Sequence, residues 1–234
     1  MKSLIMKVFI FLITISAIVN EGKVPQIDVF VESLCPDCMQ FISGSFKEFY
    51  QYKVPNLAEV NFITFGNAKE QWDEASKKWL FTCQHKENEC YGNLIETCAI
   101  NIMGRVESYE VLICIEENVY KFEKNFDELV KHCVENDQTL EKIKTCVTSD
   151  MGNRWQHEMA QKTTEHKWVP WVVVNGVHDE VVENKILNNM VDYLCSLPGS
   201  QCNKDDNDIK FNKLSFSLLP KNFLGIKTIE KCYA

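Results

Sequence analysis

The chain has 234 residues, 45% of them hydrophobic and 25% charged, with a formal net charge of −8. That length and composition allow one substantial buried core and exclude a disordered chain. The acidic balance, with no basic stripe interleaved with aromatics, argues against nucleic acid as a partner, because such a body repels phosphates.

Lys2 and Lys7 precede an apolar run over residues 8–19. The run is short for a membrane span and suits a secretory leader cleaved after Ala17 or nearer Gly22, with an uncleaved signal anchor as the alternative. The expectation is a leader over residues 1–22 and an exported body with no stable membrane span. Its charge is about −10 when cleavage after Ala17 removes Lys2 and Lys7.

Ile27-Asp28-Val29-Phe30-Val31-Glu32-Ser33 alternates like a strand, and Cys35-Pro36-Asp37-Cys38 follows directly. With Cys35 at the N-cap, Pro36 takes the first helical position, where its missing N–H costs nothing. The exposed N–H groups and partial positive charge of the helix start then favour the Cys35 thiolate, the species that attacks a disulfide. Cys38, one turn on and on the same face, can close the internal disulfide that releases a captured substrate. An ionised Asp37 raises the thiol pKa as a charge but complements the helix dipole as a first-turn residue. We weight the second effect as the larger structural one.

Met39, Ile42, Phe46, Phe49 and Tyr50 recur at helical spacing, and this helix is expected to end near Val54-Pro55. Val60-Asn61-Phe62-Ile63-Thr64-Phe65 reads as a buried strand stopped by Gly66-Asn67. Strand, helix and strand make the crossover unit of a parallel sheet, with the thiols at the first strand's C-terminal end. From about residue 68 to 162 the pattern becomes a cysteine-rich helical insertion, with helices expected over 70–80, 93–103, 126–134 and 139–147. Trp168-Val169-Pro170-Trp171-Val172-Val173-Val174 returns to strand character, and Asn175-Gly176 is a hairpin turn before a strand over 177–182. A last helix over about 183–197 turns Ile186, Leu187, Met190, Val191 and Leu194 toward the core. Residues 203–234 form a tail with no assignable structure, and Lys204-Asp205-Asp206-Asn207-Asp208 within it reads as a solvated loop rather than a calcium site.

This order matches an α/β, thioredoxin-like fold over residues 23–202, interrupted by the helical insertion and braced by disulfides. In that fold a cis-proline opens the third strand opposite the thiols and exposes backbone groups to a substrate peptide. Val169 and Pro170 are therefore the candidate substrate-binding residues. A trans proline at a strand start is the alternative, and the upstream cysteine pair weights the reading toward cis.

Eleven cysteines in an exported chain read as disulfides first. If Cys35 and Cys38 form one functional pair, Cys83, Cys90, Cys98, Cys114, Cys133, Cys146, Cys195, Cys202 and Cys232 remain, and one is left over. Spacing does not choose among the pairings. Cys195 with Cys202 is the one local pair expected, because Pro198-Gly199 favours a turn between them.

The segment Cys83-Gln84-His85-Lys86-Glu87-Asn88-Glu89-Cys90-Tyr91-Gly92-Asn93-Leu94-Ile95-Glu96-Thr97-Cys98 resembles the signature of the gamma-interferon-inducible lysosomal thiol reductase family. Every fixed position agrees except Lys86, which stands where the signature has glycine. Trp79-Leu80-Phe81-Thr82, Gly66-Asn67-Ala68 and the segment around Pro170 are also similar to the family, so the resemblance covers roughly residues 27–202. It implies an enzyme that reduces protein disulfides, in an acidic endosomal or lysosomal lumen or after secretion, with Cys35 and Cys38 catalytic. A small thiol such as cysteine resets the pair, and no bound cofactor or metal is needed. It also implies a removable tail whose Cys232 can link precursor dimers; an intrachain partner for Cys232 is the equal alternative.

Two departures bear on this. Lys86 stands where a glycine serves a positive-φ turn. No Asn-X-Ser/Thr acceptor occurs in the chain, so sorting by an N-linked glycan has no sequence support. His85 reads more readily as a structural histidine in a disulfide-braced loop than as a proton donor or ligand. Three rival functions stand beside the reductase. One is a zinc module drawing on Cys35, Cys38, Cys83, His85 and Cys90. Another is a secreted, non-catalytic binding or effector protein on the same fold. The third is an oxidase or isomerase, which differs only in reduction potential and partners.

Overall fold

The computed structural model describes residues 24–52, 57–200, 202 and 232–234. The expected leader, the helix end at Val54-Pro55 and the acidic run 204–208 lie outside the described residues. Strand β1 (Gln26–Val31) is buried along almost its whole length, as its apolar sequence requires of a strand covered on both faces. It pairs in parallel with β2 (Glu59–Thr64) and antiparallel with β6 (Trp171–Val174), and β6 pairs with β7 (Val177–His178), giving the sheet order β2-β1-β6-β7.

The crossover from β1 to β2 is the expected helix. It runs as α1 (Pro36–Phe41), a π-helical turn over Ile42–Phe46, and α2 (Lys47–Tyr52). Phe46 from the π turn meets Phe62 edge-on at 4.7 Å and Tyr109 at 4.9 Å between ring centroids, closing this side of the core.

The insertion opens differently from the expectation. Residues 70–80 are a hairpin of β3 (Lys69–Asp73) and β4 (Lys78–Thr82), not a helix. Trp72 pairs with Trp79 across the strands, and Asp73 accepts the N–H groups of Ala75 and Ser76, a side-chain-closed turn that competes with helix formation. The hairpin is held by α7 (Asp150–Lys162), whose His157 stacks on Trp79 at 3.9 Å and bonds to the Glu70 carboxylate.

The rest of the insertion is helical: α3 (Glu87–Met103), α4 (Tyr109–Asn118), α5 (Phe126–Cys133), α6 (Asp137–Val147) and α7. Cys98–Cys146 ties α3 to α6 and Cys114–Cys133 ties α4 to α5. Closing the 48-residue separation of the first pair removes unfolded-chain entropy of about 4 kcal/mol in the loop-closure account. A buried polar set joins this bundle to the sheet: Thr97 donates to Gln156, which donates to the Thr64 carbonyl at 2.9 Å.

The final helix, α8 (Glu180–Cys195), begins three residues before the expected start. Asp179 caps it by accepting the N–H groups of Val181 and Val182, so residues 180–182 of the strand expected over 177–182 enter the helix instead. Ile186, Met190, Val191 and Leu194 are buried as expected, and Cys195 bonds to Cys202. The Val169–Pro170 peptide is cis, between β5 (Trp168–Val169) and β6. The chain is an α/β, thioredoxin-like fold with a cysteine-rich, disulfide-braced insertion.

Candidate active site

The β1 strand ends at a turn whose backbone is specific to this place. Leu34 has φ +70, a left-handed conformation rare outside glycine, and it swings the chain from the sheet into α1. Cys35 is the N-cap of α1 and Pro36 is its first residue, as the sequence predicts. Both Cys35 and Cys38 are fully buried. The Cys35 sulfur lies 3.8 Å from the carbonyl oxygen of Val169, so the helix start and the cis-proline strand meet at this atom.

Two segments of the signature hold the turn in place. Asn93 Oδ1 accepts the Ser33 backbone N–H at 2.7 Å. One residue earlier, a Cβ on Gly92 would come within 2.5 Å of the Ser33 hydroxyl, so only glycine lets α3 approach this closely. Upstream, Cys83–Cys90 closes the loop that carries Gln84 and His85. His85 lies in that loop as the structural reading has it: its backbone N–H and its Nδ1 both meet Glu89 Oε2, at 2.6 and 2.9 Å.

Cys232 is where the structure departs most from the sequence reading. It forms an intrachain disulfide with Cys35, and Cys38 is the free thiol among the described residues. The reason is strand pairing. A short strand, β8 (Cys232–Tyr233), lies antiparallel to β5 with Cys232 opposite Val169 and Tyr233 opposite Trp168, which delivers the sulfur to Cys35 from the cis-proline side. Of the side chains a zinc module would draw on, Cys35, Cys83 and Cys90 are committed to disulfides.

Carboxyl groups surround the buried thiol, and sequence reasoning did not single them out. Burial pushes the Cys38 thiol well above its ordinary range, and the charges of Glu32, Glu116 and Glu96 add to this, while a hydrogen bond from the Glu32 backbone opposes it. Burial, and then the neighbouring Glu89 charge, push the Glu32 carboxyl up to about 8. Glu96 is raised to about 7 by burial, and burial followed by the Glu96 charge raises Glu116 strongly. Glu32 Oε2 accepts the Asn67 backbone N–H at 2.8 Å, whereas Oε1 has no partner within hydrogen-bonding reach. Gly66, at φ +57, makes this approach possible, since a Cβ there would sit 2.4 Å from the same carboxylate.

A fourth carboxylate braces the cis-proline. Glu183 of α8 accepts the Trp168 indole N–H at 2.8 Å and the Val172 backbone N–H at 2.9 Å, one on each side of Pro170. The signal for these groups was available in part. Glu32 prolongs an apolar strand, and Glu96 and Glu183 stand on the apolar faces of α3 and α8, where an unpaired carboxylate is costly and therefore informative.

The family model described as gamma interferon inducible lysosomal thiol reductase matches residues 26–137. The chain is 30% identical over 178 residues to the gamma-interferon-inducible lysosomal thiol reductase of Carassius auratus, covering 73% of this chain and 67% of that protein. It is 29% identical over 234 residues to GILT-like protein 1 of Drosophila melanogaster, covering 92% of each chain. With the gamma-interferon-inducible lysosomal thiol reductase of Mus musculus it shares 30% identity over 157 residues, 64% of this chain and 60% of that protein.

Proposed function

The chain belongs to the gamma interferon inducible lysosomal thiol reductase family, and from that premise we propose that it is a thiol–disulfide oxidoreductase that reduces protein disulfides through Cys35 and Cys38. One observation carries the residue assignment: Cys35 caps a helix start and faces the carbonyl beside the cis-proline, while Cys38 lies one turn behind it as a buried free thiol.

In the proposed cycle the Cys35 thiolate attacks one sulfur of a substrate disulfide. That bond breaks, a mixed disulfide forms on Cys35, and the departing sulfur leaves as a thiolate that takes up a proton. Cys38, having lost its proton, then attacks the Cys35 sulfur. Reduced substrate leaves, and the Cys35–Cys38 disulfide is returned to two thiols by two equivalents of a small thiol, itself oxidised to its disulfide. The helix start favours the first thiolate.

Acid suits this arrangement in one respect. Below about 8 Glu32 holds a proton, and Glu96 does so below about 7, which removes two of the charges that oppose the Cys38 thiolate. We assign the work to an acidic endosomal or lysosomal lumen, or to the outside after secretion. The leader over 1–22 and the removable tail over 203–234 belong to the same reading, as do disulfide-bearing proteins as substrates and a small thiol as reductant.

The test is turnover of a disulfide-linked protein between about pH 4.5 and about pH 7, with cysteine as reductant, for the wild type and Cys35→Ser. Turnover in the wild type alone supports the reductase. Equal, background rates from folded protein with reduced thiols would transfer the assignment to a binding protein on the same fold.

A further inference from the structure

Cys232-Tyr233-Ala234 does more than cap a sulfur. After the sulfur, three backbone groups of this segment, one on each residue, are met. The Cys232 carbonyl accepts from Asn67 Nδ2 at 3.0 Å, the Tyr233 carbonyl accepts from Gln84 Nε2 at 2.6 Å, and the Ala234 N–H donates to the Lys167 carbonyl at 3.0 Å. The Tyr233 ring stands edge-on to Trp168. Apart from that ring, these contacts read main chain, so any extended segment running the same way from a bonded cysteine would satisfy them.

We propose that β5, Asn67 and Gln84 form a peptide subsite for the two residues that follow the target cysteine of a protein disulfide, and that Cys232-Tyr233-Ala234 is its tethered pseudo-substrate. The inference rests on the reductase reading and deepens it by saying how the substrate chain lies. The substrate cysteine sits opposite Val169, its next residue opposite Trp168, and an aromatic side chain there gains the Trp168 face.

The subsite is built rather than incidental. Asn67 Nδ2 also donates to Gln84 Oε1 at 2.9 Å, and Asn67 Oδ1 is 3.0 Å from His166 Nε2, so the two amides are fixed relative to each other and to the fold. Gln84 is carried by the Cys83–Cys90 loop, which gives that loop of the signature a physical task. Asn67 is the residue after Gly66, whose turn also admits Glu32.

With Cys232 on Cys35, the attacking sulfur is blocked and the enzyme is latent. Release needs no oxidant. Cys38 as thiolate attacks the Cys35 sulfur, the Cys35–Cys232 bond breaks as the Cys35–Cys38 bond forms, and the proton given up by Cys38 is balanced by one taken up on the Cys232 sulfur. A small thiol then reduces the Cys35–Cys38 bond and the enzyme enters its cycle. A ring nitrogen of His85 and a carboxyl oxygen of Glu32 lie within 4.8 Å of the Cys232 sulfur and of each other, so polar groups stand beside the sulfur that leaves.

The test uses the full chain isolated without reductant. Non-reducing peptide mapping is expected to recover the Cys35 peptide joined to the Cys232 peptide of the same molecule. On adding cysteine, wild type shows a lag before turnover that Cys232→Ser lacks. Two probes then read the subsite in the Cys232→Ser background: an Ala-Cys-Tyr-Ala peptide carrying thionitrobenzoate on its cysteine, and the same adduct of N-acetylcysteine amide. Gln84→Ala and Asn67→Ala are each expected to lower the preference for the peptide over the truncated adduct about tenfold, chiefly through KM. Gln84→Glu, which removes the donor and keeps the size, repeats the result if Gln84→Ala does not fold.

Unchanged preference in these variants, with the truncated adduct still turned over by Cys232→Ser, overturns the subsite and leaves the reductase standing. No turnover of either adduct by folded Cys232→Ser overturns the reductase reading and the subsite with it. Cys232 mapped to a second copy of the chain, or no lag, overturns the pseudo-substrate.

Discussion

Asn93 Oδ1 accepts the backbone N–H of Ser33 across 60 residues of sequence, and this one buried bond pins the helix after the Cys83–Cys90 loop to the turn that presents Cys35. Replacing Asn93 with Ala strands that N–H. The expected loss is about 2 kcal/mol of stability, read as a lower denaturant midpoint at unchanged m. An unshifted midpoint would show that the turn holds without α3.

Lys86 stands at the N-cap of α3 with φ +67 and ψ −155, a region that belongs almost wholly to glycine. The signature has glycine at this position, and the structure shows why: the backbone here suits no side chain. Lys86→Gly is expected to raise the thermal midpoint, by about 1 kcal/mol of added stability. A lower midpoint would mean that the lysine makes a compensating contact.

Stability is expected to be greatest in acid. Glu32 and Glu96 hold protons when folded that they lose in the unfolded chain above the ordinary carboxylate range, so the unfolded state binds fewer protons as pH rises. Their contribution is complete below about pH 4.5 and is lost as pH rises through about 7 to about 8. The thermal midpoint should fall by about 5 °C from about pH 5 to about pH 8, and Glu32→Gln should flatten the profile. A midpoint that climbs with pH over this range contradicts the burial of these groups.

Glu183 positions the cis-proline strand rather than touching a reacting atom. Glu183→Ala removes the acceptor of both the Trp168 indole N–H and the Val172 N–H and is expected to cost about 3 kcal/mol. Glu183→Gln keeps one acceptor oxygen and recovers part of it. Turnover of a protein disulfide should fall more in KM than in kcat for the Gln variant, because the strand edge that receives substrate is displaced; an unchanged KM contradicts the positioning role.

What could be read from the sequence was what local pattern encodes. The alternation into Cys35, the Pro36 helix start, the strand before Gly66 and the proline strand at Pro170 are short-range signals, and each stands where it was expected. Residues 70–80 misled because the hairpin is polar and exposed on one side, so its strand pattern is carried by the Trp72 and Trp79 pair rather than by buried alternation. The partner of Cys35 was out of reach for a different reason. Cys232 lies 197 residues away, and only the pairing of β8 with β5 brings them together. The carboxyl cluster around Cys38 likewise draws on the residue just after β1 and on α3 and α4, elements whose adjacency no spacing rule supplies.

The most direct test of the central claim is to trap the intermediate on Cys35. In a Cys232→Ser background, which removes the tail thiol that otherwise displaces the substrate from Cys35, Cys38→Ser, reduced and incubated with a disulfide-linked protein, is expected to accumulate a covalent complex that survives non-reducing electrophoresis, with mass spectrometry placing the bond at Cys35. Cys35→Ser should form none. A complex bonded through another cysteine, or no complex from folded, reduced Cys38→Ser, would contradict the assignment of Cys35 as the attacking thiol.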